Sequence, residues 1–479
     1  MLVRQLHKQV RVEVVEPNPS LPFRTFRDPA GSVEIRRDGV YRTVLSPYDA
    51  DILAFLETSL ASELVAQGQL VASEVVASAS DIQPLVVRHP RVSFRSYPWE
   101  WSPRLWLAAA ELTLNLCSEL LREGWILQDA TPLNVLFRGM QPVLVDVLSV
   151  RRADAHLPIW YAYGQFIRTF LLPMLAFQRL GWPLQATMLR RDGYEPEELY
   201  GALPWYARLH QPALSSVTLP VLLARHTRIG GASFISRSVN DPEIAKQVIL
   251  KTLARLGSRI RGIMPSRRPS AWTDYAQTAT HYSAEDHVGK REFVIRSLAA
   301  SKPERVLDIG SNTGVYSAIA ADGGAEVVAI DTDLQTVDRL CVSFDRSGKN
   351  ILPLCVDLSH PTPSVGWRNQ ESASFLDRCY GHFDMVMMLA VLHHLLLRSQ
   401  VPLDRIAVLC RDLTTRNIVI EWVPSTDVKF KELVRGRDTL YAHITEAAFR
   451  DAFVKYFYVV AETKLSNDRI LIHFRKNGY

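Results

Sequence analysis

Residues 306–333, VLDIGSNTGVYSAIAADGGAEVVAIDTD, constrain this chain more than any other stretch. Val306, Leu307 and Ile309 form a short apolar run rich in β-formers. Gly310 and Gly314 bracket a turn, 315–321 favours helix, and Gly323 and Gly324 stop it. A second strand, 327–330, then ends in Asp331. A glycine turn between strand and helix aims backbone N–H groups and the helix N-terminus at an anion. An acid after the next strand suits the paired hydroxyls of a ribose. The stretch therefore predicts a nucleoside-bearing ligand.

Glycine spacing narrows the choice. A dinucleotide turn needs G-x-G-x-x-G, whereas Asp308, Gly310 and Gly314 spell D-x-G-x-x-x-G. A carboxylate at Asp308 repels a pyrophosphate and attracts an amino group. The pattern resembles the first motif of class I S-adenosylmethionine (SAM)-dependent methyltransferases. Downstream, Leu354, Cys355 and Val356 form a short strand running into Asp357. Residues 383–390 are almost continuously apolar, as in a strand buried on both faces, and Val391, Leu392, His393 and His394 follow directly. Residues 417–422 form another strand with Glu421 near its end. This alternation predicts an α/β fold with a Rossmann-like doubly wound sheet, whose ligands lie beyond the strands' carboxyl ends. Asp331, Asp357, His393, His394 and Glu421 are expected there.

From about Trp272 to the C-terminus the chain resembles the methyltransferase half of nodulation-type, NoeA-like proteins. The resemblance rests on Trp272, Asp274 and Tyr275, on His281 and Tyr282, on Lys290 to Val294, and on Pro361 to Trp367. The first three groups are expected to form a lid and first helix. One departure is Ser311, where that family is expected to carry Cys; both are small. The resemblance implies SAM as cofactor. Asp308 would take the methionine amino group, with Gly310, Asn312 and Gly314 as the backbone cradle. Asp331 would hold the ribose and Asp357 the adenine amino group. Leu358 and Leu389 would pack on the ligand, and Lys290 would reach the methionine carboxylate. It also implies a small-molecule or saccharide-type acceptor.

Methyl transfer from a sulfonium needs alignment and a place for a proton, and it needs no metal. His393 and His394 are candidate bases because histidine titrates near neutrality. Adjacent helical positions diverge by about 100°, so one imidazole should face the ligand, and His394 is favoured. The alternative is that both brace the strand–helix junction. Glu421 is a candidate for binding a substrate hydroxyl or amine. Asp384, at the opposite strand end, reads as structural. A substrate lid is expected in irregular chain at 425–438.

The first half carries a second constellation. Asp129 and Asn134 follow the spacing D-x-x-x-x-N, and strand, turn and strand then lead to Asp146. This resembles the catalytic loop and metal-binding acid of protein kinases and small-molecule phosphotransferases, and implies an α+β kinase-like domain before the methyltransferase. Much of that machinery is altered. No glycine-rich phosphate loop or V-A-I-K lysine is present, Arg42 stands where such a lysine would be sought, and Gln128 and Val147 replace motif residues. A degenerate domain that grips substrate, orients the other half or forms a homodimer is the expected reading. An active kinase, making the chain bifunctional, is the second. A non-catalytic SAM-binding scaffold is the third.

With 479 residues, two or three domains are expected: a kinase-like domain at 1–230, a linker at 231–269 and a methyltransferase domain at 270–479. Strands are expected at 10–15, 33–36, 40–45 and 92–96, and helices at 47–67 and 104–124. A buried helix at 166–177 should be interrupted by Pro173. At 47% hydrophobic and 22% charged, the chain can bury a core. The net charge of +5 is spread out, and the densest basic run, 255–268, reads as solvated linker. Nothing in the pattern supports nucleic-acid binding. The five cysteines lack CxxC spacing, which suggests reduced thiols and a cytoplasmic setting. No signal peptide or membrane span is expected.

Overall fold

The computed structural model describes residues 27–36, 38–78, 84–230, 238–265 and 283–478, without the side chains of 225–230. The strand expected at 10–15 and the lid residues Trp272, Tyr275, His281 and Tyr282 lie outside them.

The C-terminal half is built on a seven-stranded sheet. Its strands are β9 (Arg305–Ile309), β10 (Glu326–Asp331), β11 (Ile351–Cys355), β12 (Phe383–Met388), β13 (Thr414–Trp422), β14 (Phe457–Lys464) and β15 (Ile470–Lys476), in the order β11-β10-β9-β12-β13-β15-β14. β9 to β13 pair in parallel, and β15 runs antiparallel to both neighbours. The buried parallel strands explain the near-continuous apolar runs, since helices cover both faces. Sheet order reverses at β9, so the ends of β9 and β12 open a crevice for ligand. Asp384 stitches the opposite end, accepting the N–H groups of Glu304 and Arg305 at 2.8 Å each.

Among the described residues, the N-terminal half contains a four-stranded antiparallel sheet ordered β1-β2-β4-β3: β1 (Gly31–Arg36), β2 (Gly39–Val44), β3 (Glu74–Ala77) and β4 (Leu85–His89). The long helix Pro103–Arg122 follows. Ser102 caps it by accepting the N–H of Leu105, and Leu105, Ala109, Leu112, Leu116 and Leu120 recur on its buried face. Beyond it, β5 (Trp125–Leu127) pairs with β8 (Val150–Arg152), and β6 (Val135–Arg138) forms a hairpin with β7 (Gln141–Leu144).

Several expectations need correction. The helix foreseen at 47–67 is two, Tyr48–Leu56 and Ser59–Ala66, because Thr58 turns the chain and caps the second through the N–H of Ala61. Residues 92–96 are not a strand. The regular helix is interrupted one turn ahead of Pro173: a π-helical stretch, Ile167–Leu171, leads into the α-helix Leu172–Leu180, whose first turn holds the proline and its missing N–H. The stretch 231–269 is not simply a linker. Pro242–Gly262 is a 21-residue helix with Ala245, Ile249, Leu253, Leu256 and Ile260 buried at helical spacing. It packs on Pro103–Arg122, with Arg261 2.9 Å from Glu111. Arg255, Arg259 and Arg261 thus belong to a packed helix, while Arg267 and Arg268 lie outside the described residues.

The two halves share one continuous apolar cluster that runs from Val44 and Trp106 to Ile309, Phe383 and Phe474. Phe94 packs on Phe375 and Phe383, and Ser102 Oγ lies 3.3 Å from Cys341 Sγ. All five cysteines are free and buried. Among the described residues, no helix is long and apolar enough to cross a membrane.

Candidate active site

The turn between β9 and the helix Val315–Asp322 carries backbone conformations that few side chains tolerate. Gly310, Asn312 and Gly314 have φ of 71°, 45° and 75°. A Cβ on Gly310 would come within 2.4 Å of Val391 Cγ2. The N–H groups of Gly310 and Ser311 donate to Ile330 O at 2.9 and 3.1 Å, tying the turn to β10. Gly314 begins the helix, so the turn delivers a helix N-terminus to the crevice.

A cavity of about 700 Å³ opens there. Eight of the residues read from sequence as cofactor contacts line it: Lys290, Asp308, Gly310, Asn312, Asp331, Asp357, Leu358 and Leu389. Gly314 lies behind the wall, where a Cβ would meet Leu340 and Phe344. Asp308 is buried and accepts a 2.5 Å hydrogen bond from Ser317 Oγ. Burial pushes its carboxyl up to about 6, and nearby Asp331 adds to this, although the Ser317 bond and Lys290 oppose it. Asp331 closes β10, accepts the N–H groups of Asn312 and Asp333, and is raised by burial. Asp357 is more exposed; burial raises it, but hydrogen bonds from the Ser359 hydroxyl and N–H outweigh that and hold it below the ordinary carboxylate value.

The histidines divide as helical geometry requires. His394 lines the cavity, and His393 is buried and absent from its wall. Burial, helped by Arg398, Arg469 and Lys429, pushes His394 down to about 4, so it is neutral at pH 7. Glu421 is not in the cavity wall. It is fully buried, 2.7 Å from Lys290 Nζ and 3.2 Å from Arg469 Nη1, and Arg469 also pairs with Asp427 at 2.9 Å. This network holds Lys290 in place from behind and fixes the start of the segment expected to be an irregular lid. That segment instead contains the helix Val428–Val434, capped by Asp427. Sequence reasoning missed Arg291, Tyr316 and Arg398 in the cavity wall. Arg398 stands four residues after His394, a helical spacing that was readable.

In the first half, Asn134 Nδ2 donates to Asp146 Oδ2 at 3.1 Å, and Asp129 lies close enough to Asp146 to influence its charge. Asp129 itself is exposed and held by Gln165 at 3.2 Å. Arg42, from β2, pairs with Asp146 Oδ1 at 2.7 Å and with Val145 O at 2.8 Å.

The doubly wound sheet, with β15 antiparallel beside β13 and the D-x-G-x-x-x-G turn at the point of reversal, has the arrangement expected from the resemblance to class I methyltransferases. No protein-family model matches the chain. It is 31% identical over 467 residues to nodulation protein NoeA of Rhizobium meliloti (strain 1021), covering 93% of both proteins, and it belongs to that family. Among solved structures it is similar to the N-methyltransferase NodS of Bradyrhizobium japonicum WM9, at TM-score 0.30 and 14% identity over 40% of this chain and 98% of that one. It is also similar to the bifunctional kinase-methyltransferase WbdD, at TM-score 0.31 and 14% identity over 44% and 43%.

Proposed function

We propose that the chain is a SAM-dependent methyltransferase acting on a small-molecule acceptor. The observation that carries this reading is the convergence of Asp308, Asp331 and Asp357 from three successive strand ends on one cavity, around a turn where a Cβ at Gly310 would intrude. The donor set fits SAM. A buried carboxylate with a raised pKa suits an ammonium, which would restore its charge. Asp331 suits vicinal hydroxyls, Asp357 an exocyclic amine, and Leu358 and Leu389 the faces of a purine. Bound there, SAM would supply a methyl group already activated by its sulfonium.

The chain's own residues would hold and orient the reactants. His394 is unprotonated at neutral pH and can accept a hydrogen bond from an acceptor hydroxyl or amine, aligning its lone pair. Glu421 supports Lys290 and does not contact substrate. A saccharide-type acceptor fits the family resemblance. The N-terminal half is proposed to be kinase-like in outline and inactive as a phosphotransferase, because Arg42 occupies the acid that would hold metal. Calorimetric titration with SAM tests the main reading. Wild-type protein should bind, and Asp331→Ala should weaken binding about tenfold or more through loss of charged hydrogen bonds. Equal affinity in the variant would refute the cofactor assignment.

A further inference from the structure

A second cavity, of about 600 Å³, lies between the first sheet and the β6–β7 hairpin, and residues of the C-terminal half help to wall it. One face of the sheet forms its roof. Strand alternation places Val33, Val40, Arg42 and His89 on that face, and the register sets Val33 opposite Arg42 and Val40 opposite His89. Leu136 and Leu148 contribute apolar surface from below. The result is a slot with apolar walls, suited to a flat ring.

Among the described residues, two buried polar atoms beside this slot have no hydrogen-bond partner: His89 Nε2 and Arg42 Nε. His89 is 2% exposed and Arg42 9%. His89 Nδ1 lies 3.1 Å from Ala72 O, which can only accept, and 3.0 Å from Ser73 Oγ, whose own proton goes to Val71 O at 3.3 Å; Nδ1 therefore carries the proton and Nε2 is an acceptor. Burial, with Arg42 nearby, pushes His89 down to about 4, which keeps it neutral. The slot therefore offers an acceptor suited to an exocyclic amine. Six further arginines line it: Arg27 and Arg191 share Glu371, Arg378 pairs with Glu100 behind the wall, and Arg91, Arg95 and Arg305 complete the basic rim. Burial lowers the pKa of Arg95, and nearby Arg378 and Arg91 add to this while Tyr97 opposes it, so positive charge is concentrated on this wall. The acid that could bind a cation is already neutralised. Arg42 takes Asp146 Oδ1 and Asn134 takes Oδ2.

We propose that this cleft binds a nucleoside polyphosphate without a divalent cation, its base in the slot beside His89 and its phosphates on the arginines. Arg42 stands in for the metal. This site is separate from the SAM cavity and does not depend on the methyltransferase reading.

The test is calorimetric titration of the full chain with ATP and ADP, in EDTA and in magnesium, with S-adenosylhomocysteine saturating the other cavity. ATP should bind in EDTA, with affinity within about threefold of that in magnesium. Inorganic triphosphate and adenosine should each bind at least tenfold more weakly. Arg42→Ala should lose at least tenfold in EDTA and regain affinity with magnesium, as Asp146 and Asn134 become available. Arg91→Glu, at an exposed position that should not disturb folding, should weaken ATP at least fivefold. Binding that requires magnesium in the wild type overturns the proposal. So does ATP displaced by S-adenosylhomocysteine, triphosphate binding as well as ATP, or no ATP binding at all.

Discussion

Asp308→Asn is expected to weaken SAM binding about a hundredfold while leaving the fold intact. The side chain is fully enclosed, and an amide oxygen can still accept the Ser317 hydroxyl. What disappears is the negative charge proposed to face the SAM amino group. A charged hydrogen bond in a buried site contributes about 1.5–3 kcal/mol, and a hundredfold change in affinity corresponds to about 2.7 kcal/mol.

The same residue sets a pH dependence. The Asp308 carboxyl titrates at about 6 in the free protein, above its ordinary 3.8. If the ionised form holds the SAM ammonium as proposed, affinity should rise with pH and level off above about 7. At pH 5 roughly one-tenth of the carboxyl is ionised, so binding there should be about tenfold weaker than at pH 7. For the ligand-free protein the sign is opposite. A folded value above the unfolded one means the charged form is disfavoured on folding, so stability from this group falls as pH rises from about 4 to about 6. The D308N variant should lack both effects. Titrations at pH 5, 6, 7 and 8 with both proteins check this; a wild-type affinity that is flat across the range would remove Asp308 from the ammonium site.

The cavity at the β9 turn was legible in the sequence because its determinants are local. Asp308, Gly310 and Gly314 lie within seven residues, and their geometry follows from strand, turn and helix in succession. The positions taken by Glu421 and His89 were not legible, for different reasons. Glu421 ends a strand where a ligand acid is expected, yet its partner Arg469 lies 48 residues away and meets it only once β15 has paired with β13. His89 ends a short strand in which Leu85, Val87 and His89 alternate on one face, a weaker apolar signal than that of Val92 and Phe94. Those residues are apolar because Phe94 packs against Phe375 and Phe383, a tertiary contact with no strand ladder behind it. The helix Pro242–Gly262 was obscured by its arginines, which lie between the buried positions.

The shared core gives the second large prediction. Arg378→Met should destabilise the protein by about 3–5 kcal/mol, the cost of stranding a buried charge. Arg378 and Glu100, 2% and 0% exposed at the side chain, form a two-pronged ion pair between the halves. The remaining guanidinium donors reach Arg95 O and Ser374 O, the latter at 3.1 Å. Glu100 also accepts from Thr362 Oγ1 at 2.7 Å and from the Tyr97 N–H at 3.0 Å. Without Arg378 the carboxylate stays in the interface with too few donors for its charge. Neutralising it should relieve the penalty, so Glu100→Gln added to Arg378→Met should recover at least half of the loss, since the amide oxygen still serves Thr362 or Tyr97. Urea unfolding of the wild type, the two single variants and the double variant measures the coupling. If Arg378→Met shifts stability by less than about 1 kcal/mol, the pair does not hold the halves together and the apolar cluster alone joins them. If the double variant is no better than the single, the loss comes from the guanidinium's packing on Phe94, Phe375 and Tyr97, whose rings it covers at 4.7–5.4 Å, and not from the stranded charge.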